Sequence, residues 1–259
     1  MSELPFFQVD AFAEAPLTGN PAAVMPLEQW LDDGLMQAIA AENNLSETAF
    51  AVPSDRADAD YDLRWFTPAT EVDLCGHATL ASAHVLMTGD RIRFATRSGV
   101  LAVSREDDLL NLDLPAFEVL PGEVPGLLDA LGATGEIFVG EGGNNSAIVL
   151  LPDEAAVRAV QPDFAALKAF DRLVIVTAPG REQDIASRVF AVYHGIDEDP
   201  VTGSAHAALV PFWAKRLGRR EFTAVQASKR GGLLHCRDAG DRVILGGHCQ
   251  TVITGTFQL

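Results

Sequence analysis

The sequence is poor in cysteine and in positive charge, and it lacks a long apolar run. Its cysteines are too few and too scattered for a disulfide framework; they are Cys75, Cys236 and Cys249. Only 19 Lys and Arg stand against 36 Asp and Glu, and the net charge of -17 repels a phosphate backbone. No apolar run approaches the roughly 20 residues that span a bilayer, and the start, MSELPFFQVD, lacks the basic and apolar regions of a signal peptide. These absences predict a cytoplasmic protein that binds neither nucleic acid nor a membrane.

The composition predicts a folded protein that is rich in short strands. The chain has 259 residues, of which 48% are hydrophobic and 21% are charged, the size of one large domain or two modest ones. Alternating apolar stretches between Gly and Pro turns are typical of strands. Two Ala-rich segments, at residues 76–87 and 203–218, predict helices. Because these segments have almost no polar face, we expect both helices to be buried. The pattern as a whole predicts an α+β fold.

The chain contains a weak internal repeat around the two predicted helices. Residues 66–81 and 193–208 share one order of features, namely a strand, an acidic turn, a glycine and a buried helix. The matched positions are Glu71 with Glu198, Gly76 with Gly203, and Ala78 with Ala205. We therefore predict two similar domains, residues 1–115 and 116–259, separated by the Pro- and Gly-rich stretch PAFEVLPGEVPG. The last strand either stays in the second domain or returns to the first.

The first helix start, in DLCGHATLA, carries ionisable groups beside free backbone N–H groups. A helix that begins at Gly76 could present its first N–H groups to an anion. The positive helix end predicts a lowered pKa for His77 and a thiolate at Cys75. The alternative is structural: a helix cap, a core histidine and a buried thiol. The segment alone leaves both interpretations open.

The second helix start, in DEDPVTGSAHAAL, has a similar character. Gly203 and Ser204 offer N–H groups and a hydroxyl, which suit a carboxylate or a phosphate. Asp199 lies just upstream, and its acidic surroundings argue against phosphate. Two such helix starts predict a small-molecule site in a cleft between the two halves.

Glu47, in NNLSETAF, lies among apolar and small residues. A buried carboxylate is costly unless it is paired or protonated, and from this segment alone we favour a cap or a carboxylate at a rim. Two His-Cys pairs, at 235–236 and 248–249, lack the close spacing of a structural zinc site. We therefore predict no metal.

Taken together, four blocks of sequence resemble the phenazine-biosynthesis PhzF-like family. They are VDAFAEAPLTGNPAAV, NNLSETAF, LRWFTPATEVDLCGHATLASAH and RVFAVYHGIDEDPVTGSAHAAL, and their order and spacing cover essentially the whole chain. The resemblance implies a fold like that of diaminopimelate epimerase. Such a fold has two pseudo-symmetric domains, each a strand-rich barrel around a central helix, with the site between them.

The resemblance also implies roles for individual residues. Glu47 matches the family's general acid/base, which reverses the preference drawn from its segment alone. His77 and Asp199 match supporting polar residues that orient the substrate or assist proton transfer. The implied substrate-binding residues are Asn20, Gly76, Gly203 and Ser204. The implied protein is a homodimer without a cofactor that acts on a small carboxylate-bearing metabolite.

Three functions remain open from the sequence. The first is an isomerase in which Glu47 moves a proton between carbons. The second is an epimerase or racemase that uses Glu47 with Cys75; a two-thiol version is disfavoured because the second helix start, PVTGSAH, has no cysteine. The third is a catalytically silent protein that binds a small molecule in the family's cleft.

Overall fold

The computed structural model describes residues 3–140 and 145–259. Short strands predominate over a few helices in this part of the chain, which confirms the α+β class. The chain forms two compact units, of which the first comprises Met1–Leu114 and Gly246–Leu259 and the second comprises Pro115–Leu245. No helix within the described residues is both long enough and apolar enough to cross a membrane.

The first unit is built mainly from strands, numbered here in chain order. These strands are β1 (Glu3–Ala11), β2 (Asn20–Pro26), β3 (Glu47–Pro53), β4 (Tyr61–Phe66), β5 (Glu71–Val72), β6 (Arg91–Thr96), β7 (Gly99–Glu106), β8 (Leu109–Pro115) and β18 (Cys249–Gln258). Its helices are α1 (Asp33–Asn43) and α2 (Gly76–Leu86). Strand β1 lies between β2 and β18 and is antiparallel to both. Strand β2 is parallel to β3, β3 is antiparallel to β4, and β4 pairs with β5 and β6.

The second unit contains the remaining elements. Its strands are β9 (Val119–Pro121), β10 (Glu136–Gly140), β11 (Ser146–Leu150), β12 (Leu173–Pro179), β13 (Ile185–Ala191), β14 (Ile196–Asp199), β15 (Glu221–Gln226), β16 (Gly232–Asp238) and β17 (Arg242–Gly247), the last of which runs into the first unit. Its helices among the described residues are α3 (Leu127–Leu131), α4 (Glu154–Ala159), α5 (Phe164–Leu167) and α6 (Gly203–Leu217), and a 3-10 turn covers Val192–His194.

The two units repeat one pattern of strand pairing. In the second unit, β11 is parallel to β12, β12 is antiparallel to β13, and β13 pairs antiparallel with β14 and parallel with β15. The same sequence of pairings runs from β2 to β6 in the first unit. Helix α2 follows β5, and helix α6 follows β14, at equivalent points of the two patterns.

The central helix of each unit is buried along most of its length. In α2 every residue from Gly76 to Ala83 is buried, and the helix packs on β1, β2, β3 and β18. In α6 almost every residue from Gly203 to Ala214 is buried, although Pro211 lies inside the helix. Both helices begin at the predicted glycine, and their burial follows from the absence of a polar face.

Candidate active site

The N-terminal ends of three elements of the first unit place the polar residues that the sequence singled out. Helix α1 ends at Asn43, and the left-handed backbone of the next residue, Asn44 (φ 49°), turns the chain towards β3. Glu47 is the first residue of β3, and Asn20 is the first residue of β2. Because β2 and β3 are parallel neighbours, these two residues lie at the same edge of the sheet. Helix α2 packs on both strands and brings His77, its second residue, to this edge.

The imidazole of His77 is the centre of this polar group. Its Nε2 lies 3.0 Å from Oε2 of Glu47, and its Nδ1 lies 3.1 Å from Nδ2 of Asn20. The Sγ of Cys75 lies 3.6 Å from the same Nδ1. Ser46 extends the chain of contacts, since its hydroxyl donates a hydrogen bond of 3.0 Å to Oδ1 of Asn20. Glu47, His77, Asn20 and Cys75 are all buried.

Two atoms of this group have hydrogen-bonding capacity that the described chain does not use. Oε2 of Glu47 and Nε2 of His77 are shielded from solvent, and neither has a hydrogen-bond partner within residues 3–140 and 145–259. The two atoms are 3.0 Å apart, but their orientation is not that of a hydrogen bond. Buried polar atoms are nearly always satisfied in folded proteins. A ligand that donates to the carboxylate or accepts from the imidazole would satisfy them.

The electrostatics of Cys75 and His77 differ from the predictions made from the helix dipole. Burial, followed by the negative charge of Glu47, raises the pKa of Cys75 to about 11, so the thiol is neutral at pH 7. Burial lowers the pKa of His77, but attraction to Cys75 and Glu47 outweighs burial and raises it above its ordinary value. Both predictions were wrong because burial and a neighbouring carboxylate outweigh the partial charge of the helix end.

The same three side chains could offer ligand atoms to a metal ion. One donor atom each from Glu47, Cys75 and His77 lie within 4.8 Å of one another. The carboxylate, however, contacts Nε2 of the imidazole, whereas the thiol contacts Nδ1. A metal ion binds only one nitrogen of a histidine ring, whereas these two side chains contact opposite nitrogens. The observed contacts are therefore those of a chain of polar groups that passes through the ring.

The second unit holds the other predicted residues around the start of α6. Asp199 ends β14, and Gly203 and Ser204 are the first two residues of α6. Thr202, the residue before the helix, donates its hydroxyl to the Asp199 carboxylate. The amide of Gln226 accepts from the backbone N–H of Thr202 (2.9 Å) and donates to the carbonyl of Asp199 (2.7 Å). Gln226 therefore fixes the turn that carries the aspartate into the helix.

His206 lies fully buried in the first turn of α6. Its Nδ1 lies 2.8 Å from the carbonyl oxygen of Thr202 and donates to it, which leaves a lone pair on Nε2. That nitrogen has no hydrogen-bond partner among the described residues. Burial lowers the pKa of His206 to about 4, so the ring is neutral at pH 7.

The predicted site residues thus fall into one group in each unit. The first group contains Asn20, Glu47, Cys75, Gly76 and His77. The second contains Asp199, Gly203 and Ser204. Four residues beside these groups were not predicted from the sequence: Ser46, Thr202, His206 and Gln226. The first three lie within the quoted motifs and could have been found there, whereas Gln226 has no local signal because strand pairing alone brings it to the turn.

Comparison with known proteins identifies the chain's relatives. The family described as phenazine biosynthesis-like protein (PhzC-PhzF) matches residues 9–255. An uncharacterized isomerase of Pseudomonas aeruginosa is 51% identical over 99% of this chain and 100% of its own length. The human phenazine biosynthesis-like domain-containing protein is 38% identical over 98% of this chain and 99% of its own length.

Solved structures agree with this relationship. The crystal structure of a PhzF-family phenazine biosynthesis protein from Enterococcus faecalis is 45% identical, with a TM-score of 0.91 over 100% of both chains. A hydroxyproline epimerase from Agrobacterium vitis shares the fold alone, at 12% identity and a TM-score of 0.65 over 98% of this chain and 92% of its own. The predicted diaminopimelate epimerase-like fold is therefore confirmed, and the chain belongs to the phenazine biosynthesis-like (PhzF) family of isomerases.

Proposed function

We propose that this isomerase moves a proton between two carbons of a small carboxylate-bearing metabolite, with Glu47 as the general acid/base and without a cofactor. The observation that carries the proposal is the pair of buried atoms Glu47 Oε2 and His77 Nε2, 3.0 Å apart and without hydrogen-bond partners in the described chain. A base held in this way, shielded from water beside a polar partner, can accept a proton from carbon.

The chemistry needs one carboxylate and no second base. Glu47 would take a proton from one substrate carbon, while the electron pair of that C–H bond shifts the substrate's double bond. The same carboxyl group would return the proton to a second carbon on the same face. The charge that develops would be stabilised by N–H groups at a helix start, for which Gly76 is a candidate.

For the second unit we propose the roles that the family resemblance implies. Asp199 would orient a polar group of the substrate, and Gly203 and Ser204 would bind its carboxylate. These residues lie at the start of the buried helix α6, and the Gln226 amide fixes the turn that precedes this helix. Both observations support the proposal. A cytoplasmic location and a homodimer also stay predictions.

The test is proton NMR in deuterium oxide with a panel of amino acids and cyclic or unsaturated carboxylates. Wild type is expected to incorporate deuterium at a specific carbon or to form a new product, and Glu47→Gln is expected to lose both. Glu42→Gln is the matched control because Glu42 is an exposed residue of the neighbouring helix α1. Full activity in Glu47→Gln would remove Glu47 from the mechanism.

Two other functions make different predictions in the same experiment. An epimerase that uses Glu47 with Cys75 would exchange a proton at one carbon with inversion and without migration of a double bond; the contacts of both residues with His77 favour it as the second candidate. A silent binding protein would bind members of the panel with neither exchange nor product. A protein that only binds needs no base. The buried carboxylate oxygen of Glu47, which has no hydrogen-bond partner among the described residues, speaks against this function.

A further inference from the structure

Asn20 lies on the side of the His77 ring that faces away from Glu47. It is the first residue of β2 and is fully buried. Its Nδ2 lies 3.1 Å from Nδ1 of His77. A side-chain amide nitrogen only donates hydrogen bonds, so this contact is favourable when Nδ1 carries a lone pair and no proton.

The orientation of the Asn20 amide is set by Ser46. The Ser46 hydroxyl donates to Oδ1 of Asn20 at 3.0 Å, which directs the amide nitrogen towards the imidazole. Ser46 directly precedes Glu47 in the chain. One short segment, residues 46–47, therefore provides the partner of the amide on one side of the ring and the carboxylate on the other.

These contacts define where a neutral imidazole carries its proton. A neutral ring with a lone pair on Nδ1 has its hydrogen on Nε2, and Nε2 is the atom 3.0 Å from Oε2 of Glu47. We propose that Asn20, oriented by Ser46, is a positioning residue that keeps Nδ1 of His77 free of a proton and so directs the ring proton to Nε2, beside Glu47. The proposal rests on the proposed function and assigns Asn20 a role other than substrate binding.

The consequence for proton transfer is a division of roles. An imidazole in this tautomer donates from Nε2 and cannot accept a proton there, so Glu47 remains the base of the group. The Cys75 thiol lies 3.6 Å from the same Nδ1 and could donate to it as well. A variant without that thiol must therefore be part of the test.

The experiment reads the ring nitrogens directly by NMR of protein labelled with 15N-histidine over a pH series, with the His77 signals assigned by their loss in His77→Gln. Because the pKa of His77 is raised, the tautomer is read at the alkaline end of the series, where the ring is neutral. Wild type is expected to show a protonated Nε2 and an unprotonated Nδ1. Asn20→Asp places an acceptor at Nδ1 and is expected to protonate that nitrogen. Ser46→Ala, a smaller change that preserves packing, is expected to raise the Nδ1-protonated fraction.

Two controls separate the hydrogen bond from other effects. Asn43→Asp adds the same charge nearby on α1, at a residue whose amide bonds Thr48 and not His77, and is expected to leave the tautomer unchanged. Cys75→Ala is also expected to leave it unchanged. If Cys75→Ala alone moves the proton to Nδ1, the thiol and not Asn20 determines the tautomer.

The proposal is overturned if Nδ1 is protonated in the neutral His77 ring of wild type, or if Asn20→Asp and Ser46→Ala both leave the tautomer as it was. The wild-type and Ser46→Ala spectra decide the question even if Asn20→Asp does not fold. With a substrate identified, Asn20→Asp is expected to lower kcat about 100-fold or more, as other enzymes lose activity with a misplaced histidine proton. Because the spectra require no turnover, a failure of the proposed reaction and a failure of this inference are distinguishable.

Discussion

Arg64 and Arg188 occupy equivalent positions in the two units. Each lies on a strand two residues before a phenylalanine, and each forms a bidentate ion pair with a glutamate on the next strand. The guanidinium of Arg64 bonds the Glu71 carboxylate at 2.7 and 2.8 Å, and its Cζ lies 5.2 Å from the centre of the Phe66 ring. The guanidinium of Arg188 bonds the Glu198 carboxylate at 2.7 and 3.1 Å, and its Cζ lies 5.1 Å from the centre of the Phe190 ring. The arginines thus fix the short strand that precedes each central helix.

We expect Arg64→Lys and Arg188→Lys each to lower the free energy of unfolding by about 1–3 kcal/mol, because lysine cannot form the bidentate pair. The side chains of Arg64 and Arg188 are only 18% and 12% exposed. Chemical denaturation measures the loss. Arg56→Lys is the control, since its pair with Asp58 is 56% and 60% exposed and contributes little. Equal, small effects at all three positions would contradict the prediction.

Gly19 and Gly218 form a matched pair for measuring the effect of a close backbone contact. Both have φ of 67°, but a Cβ at Gly19 would lie 2.3 Å from the carbonyl oxygen of Ala11, whereas Gly218 has open space. Gly218→Ala is expected to cost about 1–2 kcal/mol for the left-handed backbone alone. Gly19→Ala is expected to cost about 1–3 kcal/mol more, because the backbone must shift. Thermal unfolding of both variants tests this, and equal losses would show that the contact relaxes freely.

The buried His206 predicts a loss of stability in acid. Its native pKa of about 4 lies below the value of 6.5 for a free histidine. Between these values the unfolded chain binds a proton that the native chain does not, so falling pH favours unfolding. Above pH 6.5 the contribution of His206 to the free energy of unfolding is fully present, and about 3 kcal/mol of that free energy is lost as the pH falls to 4.

Denaturation of wild type and His206→Gln at a series of pH values measures this contribution. The difference in unfolding free energy between them should decline from pH 6.5 to 4. His235→Gln, at an exposed position of β16, should run parallel to wild type. A constant difference between wild type and His206→Gln would contradict the assignment.

Because the thiol of Cys75 is neutral, we expect the proposed reaction to continue without it. A pKa of about 11 leaves about one thiolate in 10⁴ at pH 7, too little for an efficient base. Cys75→Ser is therefore expected to keep kcat within about tenfold of wild type, whereas an epimerase that needs the thiol would lose its activity. Cys249→Ser, in the same unit, controls for loss of a thiol elsewhere.

Local patterns predicted the central helices well and the strand register less well. Helices α2 and α6 begin at Gly76 and Gly203 because an apolar, small-residue segment after a glycine specifies a buried helix. The repeat predicted from the sequence, however, matched residues 66–81 with 193–208 and so placed Phe66 opposite Tyr193. The equivalent residue is Phe190, because the second unit inserts a 3-10 turn between β13 and β14. A short insertion leaves no signal in a weak repeat.

The site was predictable as motifs but not as contacts. Local segments singled out Glu47 and His77, and the family resemblance implied their roles. Their proximity follows from the parallel pairing of β2 and β3 and the packing of α2 on them. Parallel pairing joins segments distant in sequence, so no local pattern specifies it. The same reason hides Gln226, which reaches Thr202 only after β15 has taken its place beside β13.

The pairing of β1 with β18 sets an order for folding during synthesis. Strand β1 leaves the ribosome before the second unit is made, whereas β18, a neighbour of β1 in the sheet, is made only after that unit. The second unit is contiguous in sequence and can therefore be completed earlier. Until β18 arrives, β1 exposes an open edge to which a strand of another chain could bind. Before β18 is made, the incomplete first unit is thus the part of the nascent chain that is most prone to aggregate and that a chaperone would protect.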